Sequence, residues 1–200
     1  KMAGHMGAKK VTKQNLKVIC AGRTDSGVHA KGQVIHFDTM IDRPMHNWVR
    51  GTNNFLPGSI RFRRGKKVSE NFHARFSAKS RVYTYNIFND GVESPLTSRF
   101  HTWIFKNLDE KRMQKASLHL IGKHDFTSFR SSQCQSSSPY RNLRRCDVFR
   151  SGNYLRIVLE ADAFLHHMVR NIVGCLGEIG IGTKPVSWIK FVMDSKNRSL

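Results

Sequence analysis

Apolar positions recur along this chain with two periods, and most of the expected elements follow from them. Leu16 to Cys20 and Gly32 to Phe37 are short, β-branched, apolar stretches that predict two strands joined by a tight loop. In Ile60 to Lys67, Ile60 and Phe62 alternate with Arg61 and Arg63, which predicts a strand with a basic face. Arg81 to Phe88 is the clearest strand, with Tyr83, Tyr85 and Ile87 on one face. Phe100 to Phe105 predicts another. Leu143 to Phe149 and Tyr154 to Ala161 predict a hairpin around Ser151-Gly152-Asn153, with Leu155, Ile157 and Leu159 facing inward.

The helical period is carried by other segments. Arg43-Pro44 introduces a short helix over Met45 to Arg50, stopped by the turn Phe55-Leu56-Pro57-Gly58. Asp109 is placed to cap a helix running to Ile121, with Met113, Ala116, Ser117 and Leu120 as its inner stripe and Gly122 closing it. The longest pattern is Ala163 to Gly180. Leu165, Met168, Val169, Ile172, Leu176 and Ile179 share one face; His167, Arg170, Asn171 and Gly174 share another. Gly174 and Gly177 each cost about 1 kcal/mol against Ala inside a helix, so close approach of another backbone is expected there. Lys9 to Asn15 reads as the tail of a further helix, and Gly4-His5-Met6 as a cloning remnant. His124 to Ser138 reads as a loop, mobile or a binding surface. The sum is an α+β chain of two halves, residues 1–75 and 76–200, each a mainly antiparallel sheet backed by helices.

Composition changes the picture only through charge. Hydrophobic content of 39% and charged content of 24% are ordinary for a folded chain, but 34 Lys and Arg against 14 Asp and Glu give +20. A surface that basic asks for a polyanion, and nucleic acid leads. A membrane-surface protein would want a basic amphipathic helix or a lipidation signal, and the sequence has neither, nor a spanning apolar run or signal peptide. Cys20, Cys134, Cys146 and Cys175 form no C-x-x-C pair, which speaks against a zinc ribbon and for a reduced, cytoplasmic setting. His166 and His167 are adjacent and do not make a helical zinc pair.

Candidate chemistry gathers in the first loop. Arg23-Thr24-Asp25 sits between Gly22 and Gly27, which allow a sharp turn, and Asp25 is the loop's only carboxylate. Asp25 is read either as a group that reacts or as an Asx-turn residue. Arg170, beside the small stripe of its helix, either meets a carboxylate from elsewhere or is solvated. Asn71 to Ala78 interleaves Phe72 and Phe76 with His73 and Arg75, which suits unpaired RNA by stacking and phosphate contact, or else a hydrophobic anchor at a domain junction.

Four segments, in order, resemble the TruA family of tRNA pseudouridine synthases: Ala21-Gly22-Arg23-Thr24-Asp25-Ser26-Gly27-Val28-His29-Ala30; Phe72 to Ala78 with Arg81-Val82-Tyr83-Thr84-Tyr85; His124 to Arg130; and Ala163 to Gly174. The family's opening strand with Tyr-Asp-Gly and its last helix and strand have no counterpart in these residues. The resemblance implies a pseudouridine-synthase-like fold with an active-site cleft between the halves. It implies isomerisation of uridine to pseudouridine at positions 38 to 40 of the tRNA anticodon stem-loop, by a homodimer, with no cofactor and no metal. By the same resemblance Asp25 is the nucleophile, Arg170 its ion-pair partner and Tyr83 the aromatic stacked on the target uracil. Arg23 helps extrude the base and Arg43 contacts tRNA. Phe72, His73, Ala74, Arg75 and Phe76, and Gln133, Cys134, Gln135, Ser136 and Ser137, are RNA-contacting. The rival class is a non-catalytic basic RNA-binding protein. A ribosomal or architectural RNA protein would carry its charge in tails, whereas here it is spread through folded segments.

Overall fold

The computed structural model describes residues 16–199. The expected helix tail at Lys9 to Asn15 and the Gly4 to Met6 stretch lie outside the described residues. The chain divides into two compact units between Ala78 and Lys79.

In the first unit, β1 (Ile19–Cys20) and β2 (Ile35–His36) pair antiparallel, Ile19 opposite His36 and Cys20 opposite Ile35. Helix α1 (Met45–Asn54) runs four residues past the expected Arg50 and buries Trp48 and Thr52. Trp48 packs on Phe37, ring centroids 5.4 Å apart, so the helix sits on the residue after β2. The strand expected over Ile60 to Lys67 is not formed. The Asn53 side chain takes the place of a neighbouring strand at one residue only: its Nδ2 donates to the Phe62 carbonyl (2.9 Å) and the Phe62 N–H donates to its Oδ1 (2.7 Å). Arg61 folds back to donate to the carbonyls of Pro57 and Ile60. Period two marks an extended stretch, but a strand also needs a partner ladder.

The second unit is built on a five-stranded sheet in the order β4-β3-β7-β6-β5. Its members are β3 (Arg81–Phe88), β4 (Thr102–Trp103), β5 (Gly122–Asp125), β6 (Tyr140–Ser151) and β7 (Tyr154–Ala161). All neighbours pair antiparallel except β3 and β4, which are parallel, so the sheet is mixed. The strand expected over Phe100 to Phe105 shrinks to the two residues of β4, preceded by a 3-10 turn at Ser98–Phe100. The β6–β7 hairpin closes with Ser151 opposite Tyr154, and Gly152 takes the positive φ of 57° that so short a loop demands. Strand β7 shows the period-two rule plainly: Leu155, Ile157, Leu159 and Ala161 are fully buried, and the residues between them are not.

Against that inner face pack helices α2 (Glu110–Ser117) and α3 (Met168–Ile181), and α4 (Trp188–Ser195) joins the same core against those two helices. Asp109 caps α2 as expected, its carboxylate accepting from the N–H groups of Lys111 and Arg112. The helix stops earlier than Ile121, tightening into a 3-10 turn at Leu118–Leu120 before Gly122 opens β5 with φ 111°. The region His124 to Ser138 is less open than expected. Its first residues pair in β5, and Phe126 and Phe129 are fully buried around a 3-10 turn.

Helix α3 begins at Met168, five residues later than the apolar period predicts. His167 stands at its N-cap in the left-handed region, φ 62°, and that turn breaks the helix between Ala163 and Met168. Leu165 is still buried, so the apolar spacing there reflects packing of a bend. The close approach expected at Gly174 and Gly177 falls instead at Gly180. A Cβ on Gly180 would stand 2.8 Å from Met113 Sδ and 3.1 Å from Leu108 Cδ2, whereas nothing lies within 4 Å of one on Gly174 or Gly177.

Candidate active site

The loop between β1 and β2 is pinned at its base and exposed at its tip. Ala21 N–H donates to the Val34 carbonyl (2.9 Å), and the Gln33 amide donates to the Gly22 carbonyl (2.8 Å). Beyond this base, Val28 N–H donates to the Asp25 carbonyl (3.1 Å), and Gly27 adopts φ 75° in the turn so made. That left-handed residue is why glycine stands there. Arg23 and Asp25 are both exposed on this turn, two positions apart. The turn is closed by the Asp25 backbone carbonyl, so its closing hydrogen bond does not depend on the carboxylate. Arg43, half-buried, lies just before α1 with its guanidinium 5.8 Å from the Trp48 ring centroid.

Phe72 to Phe76 form turns rather than a strand or helix. His36 Nδ1 accepts from Ala74 N–H (3.1 Å), and His73 Nδ1 accepts from the N–H groups of Arg75 and Phe76 (3.2 Å each). Ala74 is buried, Phe72 and His73 are half-buried, and Arg75 and Phe76 are exposed.

In the second unit, Tyr83 is half-buried on β3, its ring edge-on to Phe164 at 5.0 Å. Phe164 belongs to the bend before α3, so that bend is what backs the Tyr83 ring. Arg170 is exposed in the first turn of α3. A cation there opposes the helix dipole, so helix stability does not explain its position. It borders a cavity of about 230 Å³ lined also by Tyr85, Thr102, Gly174, Gly177 and Glu178, among others. The Tyr85 hydroxyl and Thr102 Oγ1 hydrogen-bond across the β3–β4 pair at 2.7 Å. The glycines of α3 thus open space beside Arg170 rather than admit a second backbone. The sequence marks Tyr85 only as part of the β3 face and of the family-like segment, and gives Thr102 and Glu178 no mark; the signal for this space is Gly174 and Gly177, four and seven residues after Arg170.

The stretch Gln133 to Ser137 is a loop after the 3-10 turn Thr127–Phe129. Cys134 N–H donates to the Ser131 carbonyl (3.0 Å) and its side chain packs toward the core. Ser136 accepts from Arg141 (2.6 Å), while Gln133, Gln135 and Ser137 are exposed. Burial pushes the Cys146 thiol up to about 12 and the Cys175 thiol up to about 11, so neither is ionised near neutrality or suited to nucleophilic attack.

Comparison with known proteins adds the following. A family model described as tRNA pseudouridine synthase matches residues 116–200. The chain is 50% identical over 193 residues to a tRNA pseudouridine synthase A of Herminiimonas arsenicoxydans, covering 94% of this chain and 70% of that protein. It is 48% identical over 191 residues to proteins of the same name from Haemophilus ducreyi and Legionella pneumophila, covering 96% of this chain and 73% of each.

Proposed function

The chain belongs to the tRNA pseudouridine synthase A family, and from that premise we propose how its residues divide the work of converting uridine to pseudouridine in tRNA. The reaction breaks the bond from ribose C1′ to uracil N1, turns the base, and forms a bond from C1′ to C5; the C5 hydrogen leaves as a proton and N1 gains one. No electrons or water are consumed overall.

Asp25 is the nucleophile. The observation that carries this assignment is the built turn around it: an exposed carboxylate beside Arg23, on a loop whose closure uses backbone atoms and Gly27. A covalent carboxylate adduct splits one hard step into two. The carboxylate must be ionised, and Arg170 is its charge partner, which favours the charged form. The target base must leave the stack at a cost of a few kcal/mol. Arg23 props the vacated space, and Tyr83, backed by Phe164, stacks on the extruded uracil. Arg43, Phe72 to Phe76 and Gln133 to Ser137 hold the RNA. The target lies at positions 38 to 40 of the anticodon stem-loop, and the enzyme works as a cytoplasmic homodimer without metal or cofactor. The four cysteines without disulfides and the lack of a helix long and apolar enough to cross a membrane, among the described residues, support the cytoplasmic part of this reading.

The test is release of tritium from tRNA carrying C5-labelled uridine, since the new C5 bond expels that hydrogen. Release from sites 38 to 40 is expected. A chain that binds tRNA but releases none would be a non-catalytic RNA binder.

A further inference from the structure

Helix α3 is entered by an unusual turn. An N-cap residue ordinarily has extended backbone and a side chain that accepts one of the first N–H groups. His167 does neither: its φ is 62°, and its side chain makes no cap hydrogen bond. Glycine takes a left-handed angle at no steric cost, so the turn by itself does not ask for an imidazole. The turn is held from outside. Ser131 N–H donates to the His166 carbonyl (2.9 Å), and Asn171 Nδ2 donates to the Phe129 carbonyl (2.9 Å). Backbone strain persists only where its surroundings over-determine it, and it gathers at functional sites.

The side chains add a second observation. Neighbours along a regular helix do not face each other, yet the His166 and His167 rings lie 3.9 Å apart with their planes at 31°. His166 Nδ1 is buried and has no hydrogen-bond partner among the described residues. A polar atom buried for the sake of the fold is ordinarily paired. The pair also sits between two residues already given roles. Phe164, three positions before His167, backs the Tyr83 ring, and Arg170 follows three positions after it.

We propose that His167 is a catalytic residue, the base that takes the C5 proton of the turned uracil, with His166 as the positioning residue on which its ring lies. This rests on the synthase reading above and names the group that completes its last step. Once C1′ is bonded to C5, that carbon still holds its hydrogen. The imidazole takes it as a proton, the C5–H electron pair forms the C5–C6 double bond, and the N1–C6 π pair withdraws to N1. The imidazolium then returns a proton to N1 through water, so protons balance and the C5 hydrogen is exchanged into solvent. Two residues of one bend thus serve one base: Phe164 through the Tyr83 stack, His167 through the proton.

The test follows single-turnover pseudouridine formation by the full chain on tRNA carrying protium or deuterium at uridine C5. His167→Gly suits the left-handed turn, so it is expected to melt at or above wild type and to bind tRNA equally. It should slow product formation about 100- to 10,000-fold, the range for a positioned acid–base group. Deuterium should slow this variant by a larger factor than it slows wild type, because loss of the C5 proton becomes the slow step. His166→Ala should show a smaller loss with the same rise in the deuterium effect, which a merely structural role would not produce. Asp25→Asn, blocked before the C5 bond forms, should show no such rise. A folded His167→Gly working at the wild-type rate overturns the proposal, and so does a slow one without the added deuterium effect. Should the Gly variant not fold, His167→Asn, which also tolerates the left-handed angle, carries the same comparison. Wild type forming no pseudouridine would sink the synthase reading, whereas an active wild type with an equally active His167→Gly sinks this assignment alone.

Discussion

At the scale of single residues, Asp25 is where chemistry and structure separate most cleanly. Its backbone carbonyl holds Val28 N–H, and Gly27 supplies the left-handed angle, so Asp25→Asn keeps both. Melting is expected to shift by no more than about 0.5 kcal/mol of stability, the usual range for surface changes. Binding of tRNA should be unchanged or slightly tighter, because one negative charge near phosphate is gone. Single-turnover tritium release should fall to background. Arg170→Ala should lower release too, and adding it to Asp25→Asn should lower it little further, since the pair acts as a unit. Appreciable turnover in stably folded Asp25→Asn would remove Asp25 from the nucleophile's role. The Arg23-x-Asp25 spacing and its glycines were legible in sequence because a tight turn is local. The surroundings of Arg170 were not, because its cavity draws on β3, β4 and α3, segments far apart in the chain.

At the scale of elements, the start of α2 and the middle of α3 give two tests. The Glu110 carboxyl is held below its ordinary value of 4.5, first by its own backbone N–H and then by Arg150, whose Nε lies 2.9 Å away. A depressed folded value stabilises the fold above the unfolded value, and the contribution is lost as pH falls through the folded value. The stability advantage of wild type over Glu110→Gln should therefore be present at neutral pH and shrink below about pH 4.5. An advantage that grew on acidification would contradict this arrangement. In α3, Gly180→Ala would press a methyl against buried Met113 and Leu108. Overpacking of that kind costs about 1–3 kcal/mol, more than the roughly 1 kcal/mol of helix propensity regained. Gly174→Ala meets nothing within 4 Å and should stabilise by about 0.5–1 kcal/mol. The two melting curves should move in opposite directions. A Gly180→Ala protein melting at or above wild type would show that the α2–α3 approach is not the constraint at that position.

At the scale of the whole molecule, charge decides the partner and its sensitivity to salt. Several Lys and Arg on phosphates release counterions, so tRNA affinity should fall by roughly three orders of magnitude or more between about 50 and 200 mM salt. Filter binding across that range checks it, and a flat salt dependence would mean that the +20 charge does not act through the RNA backbone.

What the sequence determined by itself is what neighbours along the chain decide. The limits of β3, the inward set of β7, the Asp109 cap and the glycine-flanked Asp25 turn all follow from side-chain period, a short polar cap or a backbone angle. Tertiary structure decided whatever depends on a distant partner. Ile60 to Lys67 had a strand's alternation and found the Asn53 amide instead of a ladder. The short β4 was taken up parallel to β3, which local period cannot specify. A left-handed His167 cut an apolar pattern in two, and Gly180 rather than Gly174 met a neighbouring helix. Phe76 was left facing water with its ring against His73, where the same letters allowed a buried anchor. Periodicity records which face of a segment is apolar; which surface comes to cover that face is set only when the segments meet.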